Sequence, residues 1–234
     1  MSAKTFIKKL IPNSLLKWHQ ERLLNKQRES FHKGCLELLY YVDDILTKAN
    51  IPYWLNYGTL LGVYRDNDFI PHDYDLDVGI MLENHLSVKD LMLDNGLKPV
   101  FEAHMGGTWD SPDIVEYRFE YKGVSIDFNT YKKKGENIIE TLDFVMVKEI
   151  NYNLNLGSRQ PILVEGVTIP FTGLKTIEFK GRSFSIPENT EGYLIANYGP
   201  SWRVPVKDFD YHDYAENITI YKRDEKYGEV IIFK

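Results

Sequence analysis

Three aspartates at alternate positions, Asp73, Asp75 and Asp77, fall within Pro71-His72-Asp73-Tyr74-Asp75-Leu76-Asp77-Val78-Gly79-Ile80. On a β-strand alternate side chains share one face. Asp75 and Asp77 then project together, about 6–7 Å apart, while Leu76, Val78 and Ile80 enter the core. Two bare carboxylates at that spacing repel by about 2–3 kcal/mol at an effective dielectric of about 20. A half-buried strand needs a cation to offset that cost, and a metal ion is the economical candidate. An EF-hand also opens on alternating Asp, but it requires Gly at its sixth position and Glu at its twelfth. Those positions hold Val78 and Asn84, so the calcium-loop reading fails.

A third carboxylate lies downstream. In Val124-Ser125-Ile126-Asp127-Phe128 the apolar residues alternate with Ser125 and Asp127. If this strand neighbours the first, Asp127 joins Asp75 and Asp77 on one face; by itself it reads equally well as a solvated strand residue. Three carboxylates on adjacent strands form a hard-oxygen site suited to Mg2+ or Mn2+, ions that keep waters and accept phosphate oxygens. Asp73 is either a further ligand or a residue that orients one. Upstream, Tyr57-Gly58-Thr59-Leu60-Leu61-Gly62 follows an apolar strand and opens a helix. Gly58 permits close backbone approach, and a helix N-terminus offers free N–H groups to phosphate. Strand-glycine-helix turns are usually structural; with Asp75-x-Asp77 following, this one reads as a phosphate-binding turn beside a metal site. That pairing is the architecture of a nucleotidyltransferase-type fold.

The elements that must carry these residues are partly legible. Pro12-Asn13-Ser14 breaks the chain and starts a long helix, with Asn13 or Ser14 as N-cap; an interruption is expected near residues 27–30. Its second half places Leu38, Leu39, Val42, Ile45 and Leu46 on one face, and Cys35 one turn earlier reads as a packed thiol. Tyr53-Trp54-Leu55 reads as a buried strand, Gly58–Tyr64 as a helix, Asp75–Met81 as a strand and Leu86–Leu93 as a helix ended by Asn95-Gly96. Val115–Tyr121 and Val124–Asn129 alternate strictly around Lys122-Gly123, which predicts a hairpin with a two-residue turn. Residues 140–183 are strand-rich without a readable pairing, and Tyr193–Tyr198 reads as a short helix before Gly199-Pro200. The fold class is therefore α/β or α+β: a mixed sheet carrying an acidic metal site, led by a basic, amphipathic helical segment (residues 1–50) and followed by one domain (residues 51–234).

Composition narrows the function. The 234 residues are 43% hydrophobic and 26% charged, ordinary for a folded chain. Cys35 is the sole cysteine, which excludes an internal disulfide and a cysteine-based zinc site. No apolar run exceeds five residues, so neither a transmembrane span nor a signal-peptide core is expected, and the expectation is a soluble, cytoplasmic protein. The net charge of −6 divides into +6 over residues 1–28 and −12 over the rest. An acidic body disfavours nucleic-acid binding. The basic head, with Phe6, Ile7, Leu10, Leu15, Leu16 and Trp18, either packs on the domain or touches the inner membrane surface.

The stretch Trp54-Leu55-Asn56-Tyr57-Gly58-Thr59-Leu60-Leu61-Gly62-Val63-Tyr64-Arg65, with Asp68-Phe69-Ile70-Pro71 and the Asp73/Asp75/Asp77 run, resembles the LicD/fukutin family. The likeness continues loosely through Asp127 and Tyr198-Gly199-Pro200-Ser201-Trp202 with Pro205. It departs at His72, where the family usually has Trp, and at Tyr74, where it has an acid. The resemblance implies a nucleotidyltransferase-like fold and transfer of a phospho-alcohol, phosphocholine or ribitol phosphate, from a CDP-linked donor to a glycan or glycolipid hydroxyl, releasing CMP. It implies bacterial surface-glycan work, on lipopolysaccharide or capsule, more readily than the membrane-anchored Golgi branch. In that reaction Asp75, Asp77 and Asp127 are the catalytic metal ligands, joined by Asp73, and Asp127 by analogy accepts the hydroxyl proton. Gly58, Thr59 and Arg65 bind donor phosphate, Arg65 as a forked clamp or else as a plain helix-surface residue. His72 is a base or merely adjacent, and Trp54, Tyr57 or Trp202 stacks on the donor or belongs to the core. Two other functions fit the same residues: nucleotidyl transfer from an NTP with release of pyrophosphate, and a catalytically inactive binder.

Overall fold

The computed structural model describes residues 13–145, 155–206, 209–221 and 227–233. Residues 1–12, with much of the basic head, lie outside the described residues. From Asn13 to Lys48 the chain is one unbroken helix, α1. The expected interruption at 27–30 is absent because the segment holds no proline and its single glycine, Gly34, is used for packing. A Cβ there would stand 2.9 Å from Val124 Cγ2, so the helix lies tight on the sheet. Phe31, Cys35, Leu38, Leu39, Val42 and Leu46 are buried along one face. Burial pushes the Cys35 thiol up to about 11, the packed thiol expected from its place in the repeat.

Past α1 the chain alternates short strands and helices: β1 (Tyr53–Leu55), α2 (Tyr57–Asp66), β2 (Asp75–Met81), a 3-10 turn (Leu82–Asn84) and α3 (His85–Asp94). A meander follows, β3 (Lys98–Thr108), β4 (Ser111–Tyr121) and β5 (Val124–Lys133), then β6 (Ile138–Phe144) and β7 (Arg159–Pro170). A separate hairpin, β8 (Leu174–Phe179) with β9 (Arg182–Pro187), precedes α4 (Thr190–Tyr198), α5 (Tyr211–Tyr214), β10 (Ile218–Thr219) and β11 (Tyr227–Ile232). The β4–β5 turn falls on Lys122 and Gly123, both at positive φ (50° and 83°), the two-residue geometry that matches strand twist.

The main sheet runs β1-β2-β5-β4-β3-β11-β7-β10, and β6 pairs with both β5 and β7. Six strands, β5-β4-β3-β11-β7-β6, thus return on themselves as a closed ring. β2 lies outside that ring, parallel to β5, in the register Asp75↔Ser125, Asp77↔Asp127, Gly79↔Asn129. Leu76, Val78 and Ile80 of β2 join α1, α3 and β5 in the main core; each buried aliphatic contributes about 1.5–3 kcal/mol. A second cluster, Ala103, Met105, Ile114, Leu142, Ile162, Val164 and Val230, is drawn from the ring strands. Among the described residues no helix is long and apolar enough to cross a membrane. The fold is the expected mixed α/β arrangement, with α1 built into the main core.

Candidate functional site

The turn from β1 into α2 fixes the acidic strand. The Asn56 N–H donates to the Asp77 carbonyl at 3.0 Å, and the Asp77 N–H donates to Thr59 Oγ1 at 2.8 Å. Both backbone groups of Asp77 are thereby held by the turn. Beneath it the fully buried Asn56 side chain donates to Asn129 Oδ1 (3.1 Å) and Tyr131 Oη (2.9 Å) and accepts from Tyr193 Oη (2.7 Å). Tyr57, the first helical residue, has φ +34°, a region costly for a bulky side chain and characteristic of positions constrained by their surroundings. The loop before β2 is braced from α1: Arg28 Nε donates to the His72 carbonyl (2.9 Å) and a His32 ring nitrogen meets the Pro71 carbonyl (2.9 Å).

Parallel pairing of β2 with β5 brings Asp127 beside Asp77, so the two acidic motifs meet as expected. The sequence reading missed the residue placed among them. Arg118 on β4 pairs with Asp127 across the hairpin. Its Nε donates to Asp127 Oδ1 at 2.5 Å, one Nη reaches Asp127 Oδ2, and the same nitrogen donates to Asp75 Oδ2 at 2.6 Å. Burial works against the guanidinium charge, yet Asp127 and Asp75 more than compensate and hold it protonated. Its signal was available: a two-residue turn at Lys122-Gly123 forces residue 118 opposite residue 127.

One guanidinium does not neutralise the group. Burial pushes Asp73 up to about 6. Burial and then the charge of Asp127 push Asp75 up to about 7, with Arg118 only partly offsetting them. Asp77 stands well above the carboxylate range, through burial and then the charges of Asp75, Asp127 and Asp73. Glu116, two residues from Arg118 on β4, is raised by burial and by Asp143 and Asp127. Gly58 makes room for this charge. A Cβ there would lie 2.8 Å from Asp73 Oδ2 and 3.6 Å from Asp77 Oδ2, so these oxygens converge over the first turn of α2, whose dipole favours negative charge. Among the described residues, no three His, Cys, Asp or Glu side chains are arranged as a preformed metal cage. The donor set nevertheless fits a hard divalent cation: all ligands are carboxylate oxygens, and their charge exceeds what Arg118 supplies.

Beside the acids lies a cavity of about 310 Å³. Tyr57, Gly58, Arg65, His72, Asp73 and Trp202, all singled out from the sequence, line it. Arg65 is clamped by Asp66 (Nη to Oδ2, 2.7 Å) and reaches the Trp202 carbonyl at 3.4 Å. Trp202 is 4% exposed, packs on Tyr64 at 5.9 Å and lies under the Arg203 guanidinium at 4.2 Å. Its indole N–H is buried with no partner among the described residues. Asp143 and Tyr211, unmarked by any motif, also line the cavity. Burial raises Asp143 to about 6, with Glu165 and Asp127 adding to the effect against the Phe144 N–H.

Two sequence assignments require correction. Trp54 is a core residue, 1% exposed, its N–H donating to Tyr193 Oη (3.2 Å) and its ring lying on Gly79, where a Cβ would overlap it; it has no face to offer a nucleotide. The buried Thr59 hydroxyl is engaged by the Asp77 amide and so positions that strand rather than facing the cavity. Asp127, 5% exposed, has both carboxylate oxygens engaged by Arg118.

Residues 50–189 match the family described as LicD/FKTN/FKRP, nucleotidyltransferase domain. The chain is similar to the ribitol-5-phosphate transferase FKTN of Homo sapiens, 27% identical over 195 residues, covering 81% of this chain and 37% of that protein. It is also similar to the ribitol 5-phosphate transferase FKRP of Homo sapiens, 50% identical over 48 residues, covering 20% of this chain and 10% of that protein. The chain thus spans little more than a third of the FKTN relatives it matches. Among solved structures, the lincomycin-bound lincosamide antibiotic adenylyltransferase LnuA aligns with a TM-score of 0.41 and 13% identity, over 64% of this chain and 78% of that one.

Proposed function

The chain belongs to the LicD/FKTN/FKRP nucleotidyltransferase-domain family, and from that membership and the site we propose that it transfers a phospho-alcohol from a CDP-linked donor to a glycan hydroxyl. The observation that carries the reading is the aspartate group of β2 and β5, deficient in positive charge, opening beside a cavity that Arg65 lines. In this reaction the acceptor oxygen attacks the phosphorus bearing the alcohol and CMP leaves. The protein's task is to hold nucleophile and leaving group in line and to offset charge on the phosphoryl oxygens.

Asp75 and Asp77, with Asp73, would hold Mg2+ or Mn2+; when bound, the ion supplies charge neutralisation at the phosphoryl oxygens. Arg65, fixed by Asp66 at the cavity wall, offers its guanidinium to donor phosphate. Tyr57 at the mouth of the β1–α2 turn bounds the donor pocket. Asp143 lines the cavity, and a pKa of about 6 suits a base that takes the acceptor's hydroxyl proton near neutrality. The transferred group is phosphocholine or ribitol phosphate, which a panel of CDP-linked donors distinguishes. We place the reaction in the cytoplasm, with residues 1–28 giving peripheral contact to anionic membrane.

The test is thermal melting with Mg2+ and a panel of CDP-choline, CDP-ribitol, CDP-glycerol and NTPs, followed by product analysis. A ligand at 100 times its Kd stabilises by about 2.7 kcal/mol, which at about 2–4 °C per kcal/mol is a rise of roughly 5–10 °C. A metal-dependent rise with one CDP-alcohol, lost in Asp75→Asn, together with CMP release, is the expected result. A rise with NTPs alone and release of pyrophosphate would replace this reading with nucleotidyl transfer.

A further inference from the structure

The aspartates divide into two halves. In the closed half, Asp75 and Asp127 are bound by Arg118 through three donor contacts, two of them to the buried Asp127. In the open half, Asp73 and Asp77 converge over Gly58 with no ion-pair or hydrogen-bond partner for either carboxylate among the described residues. Arg118 is not a mobile surface arm. It is fixed in the β4–β5 register opposite Asp127, and its guanidinium also lies 5.4 Å from the Phe101 ring.

A divalent ion bound by Asp75 therefore meets a cation already seated on the same carboxylate. Asp75 Oδ2 already accepts an Nη proton, and an ion on this carboxylate would stand close to the guanidinium, so that the two positive charges repel in a half-buried setting. We propose that Arg118 is a resident counter-cation that competes with the divalent ion for Asp75, so that the ion enters through the open half, Asp73 and Asp77, and Arg118 sets its affinity. Arg118 is in this sense a positioning residue: it holds the closed half together when no ion is present and yields Asp75 when one arrives. The inference rests on the metal reading of the site. It opposes the alternative in which the guanidinium only preorganises the ligands. Preorganisation predicts weaker metal binding once Arg118 is removed, whereas competition predicts tighter binding.

The experiment is calorimetric titration of Mn2+ into the metal-stripped chain, with the paramagnetic signal of free Mn2+ as an independent readout, for the wild type, Arg118→Met and Arg118→Lys. Arg118→Met is expected to bind Mn2+ at least about tenfold tighter than the wild type, because one nearby positive charge is gone. Its metal-free melting temperature should fall and its gain on adding Mn2+ should exceed that of the wild type. Arg118→Lys keeps the charge but loses the fork and should fall between the two; it carries the test if the Met variant does not fold. Unchanged or weaker Mn2+ affinity in a folded variant overturns competition while leaving the phosphotransferase reading in place. A wild type that takes up no Mn2+ at millimolar concentration overturns the metal assignment itself, and this inference with it.

Discussion

Two buried acidic clusters lie along this sheet, one built around a single glutamate and one around four aspartates, and they are built to opposite ends. On β3, Glu102 is 5% exposed and meets Lys89 Nζ at 2.7 Å and His104 Nε2 at 2.6 Å. His104 is itself stacked on Trp109 at 4.0 Å, and Trp109 lies under the Arg159 guanidinium. Although burial opposes it, these partners hold Glu102 below the usual carboxylate range. At β2, β5 and the loop before β2, four aspartates gather around one guanidinium that reaches only Asp75 and Asp127, and Asp73, Asp75 and Asp77 are all pushed up. The first cluster has its counter-charges inside the protein. The second is left short of positive charge beside a cavity. Burial of a carboxylate alone therefore says little about its purpose; the supply of cations around it separates a structural contact from a site awaiting a charged ligand.

The sharpest way to break this comparison is by turnover. Asp75→Asn or Asp77→Asn should lower transfer by at least about a thousandfold, near 4 kcal/mol of barrier, with the far-ultraviolet spectrum unchanged. Glu102→Gln should leave kcat within a factor of about three. Next in size, Asp143→Asn should cost about a hundredfold in kcat, the low end for loss of a general base. It should also flatten the pH-rate limb that reports that base, with little effect on donor binding measured by melting.

Stability should reverse the ranking. Glu102→Gln disturbs a satisfied pair and should destabilise by about 2 kcal/mol in denaturant titration. Asp77→Asn relieves repulsion and should stabilise the metal-free chain by about 1 kcal/mol. A destabilised Asp77→Asn would erase the contrast between the clusters.

The smallest effect is on pH. The folded-state values of Asp75 and Asp77 are raised, so the stability they contribute is present below their unfolded values and is lost as pH rises through the folded ones. Metal-free melting temperature should thus rise from pH 8 to pH 6, and Asp77→Asn should reduce that slope. Glu102 is lowered and acts in the opposite sense: its contribution is present above an unfolded value of about 4.3 and is lost as pH falls through the folded one.

Local chemistry made much of this legible. The β2 strand, the β4–β5 hairpin and the packed face of α1 follow from side-chain period and turn residues, and the hairpin register implies Arg118 opposite Asp127. That register is a sequence property, since counting back from the two-residue turn sets residue 118 opposite residue 127. The parallel β2–β5 pairing was only a condition in the sequence, because nothing local chooses a strand's distant partner. For the same reason β6, which closes the ring, and Asp143 and Tyr211, which reach the cavity from segments without a motif, were not legible. For Trp54 the sequence left donor stacking and the core both open; the choice falls to the core because its ring lies on Gly79 across the strand pair.

The hairpin also imposes an order of assembly. β4 and β5 are joined by two residues, while β2 reaches β5 only after α3, β3 and β4 have intervened. Contacts of short sequence separation are expected to form first, so Arg118 should meet Asp127 before Asp75 and Asp77 arrive. The nascent hairpin carries a neutralised pair, and the crowding of like charges is deferred to the docking of β2. Relief of that crowding should then appear in the unfolding arm of a chevron plot and leave the refolding arm nearly unmoved.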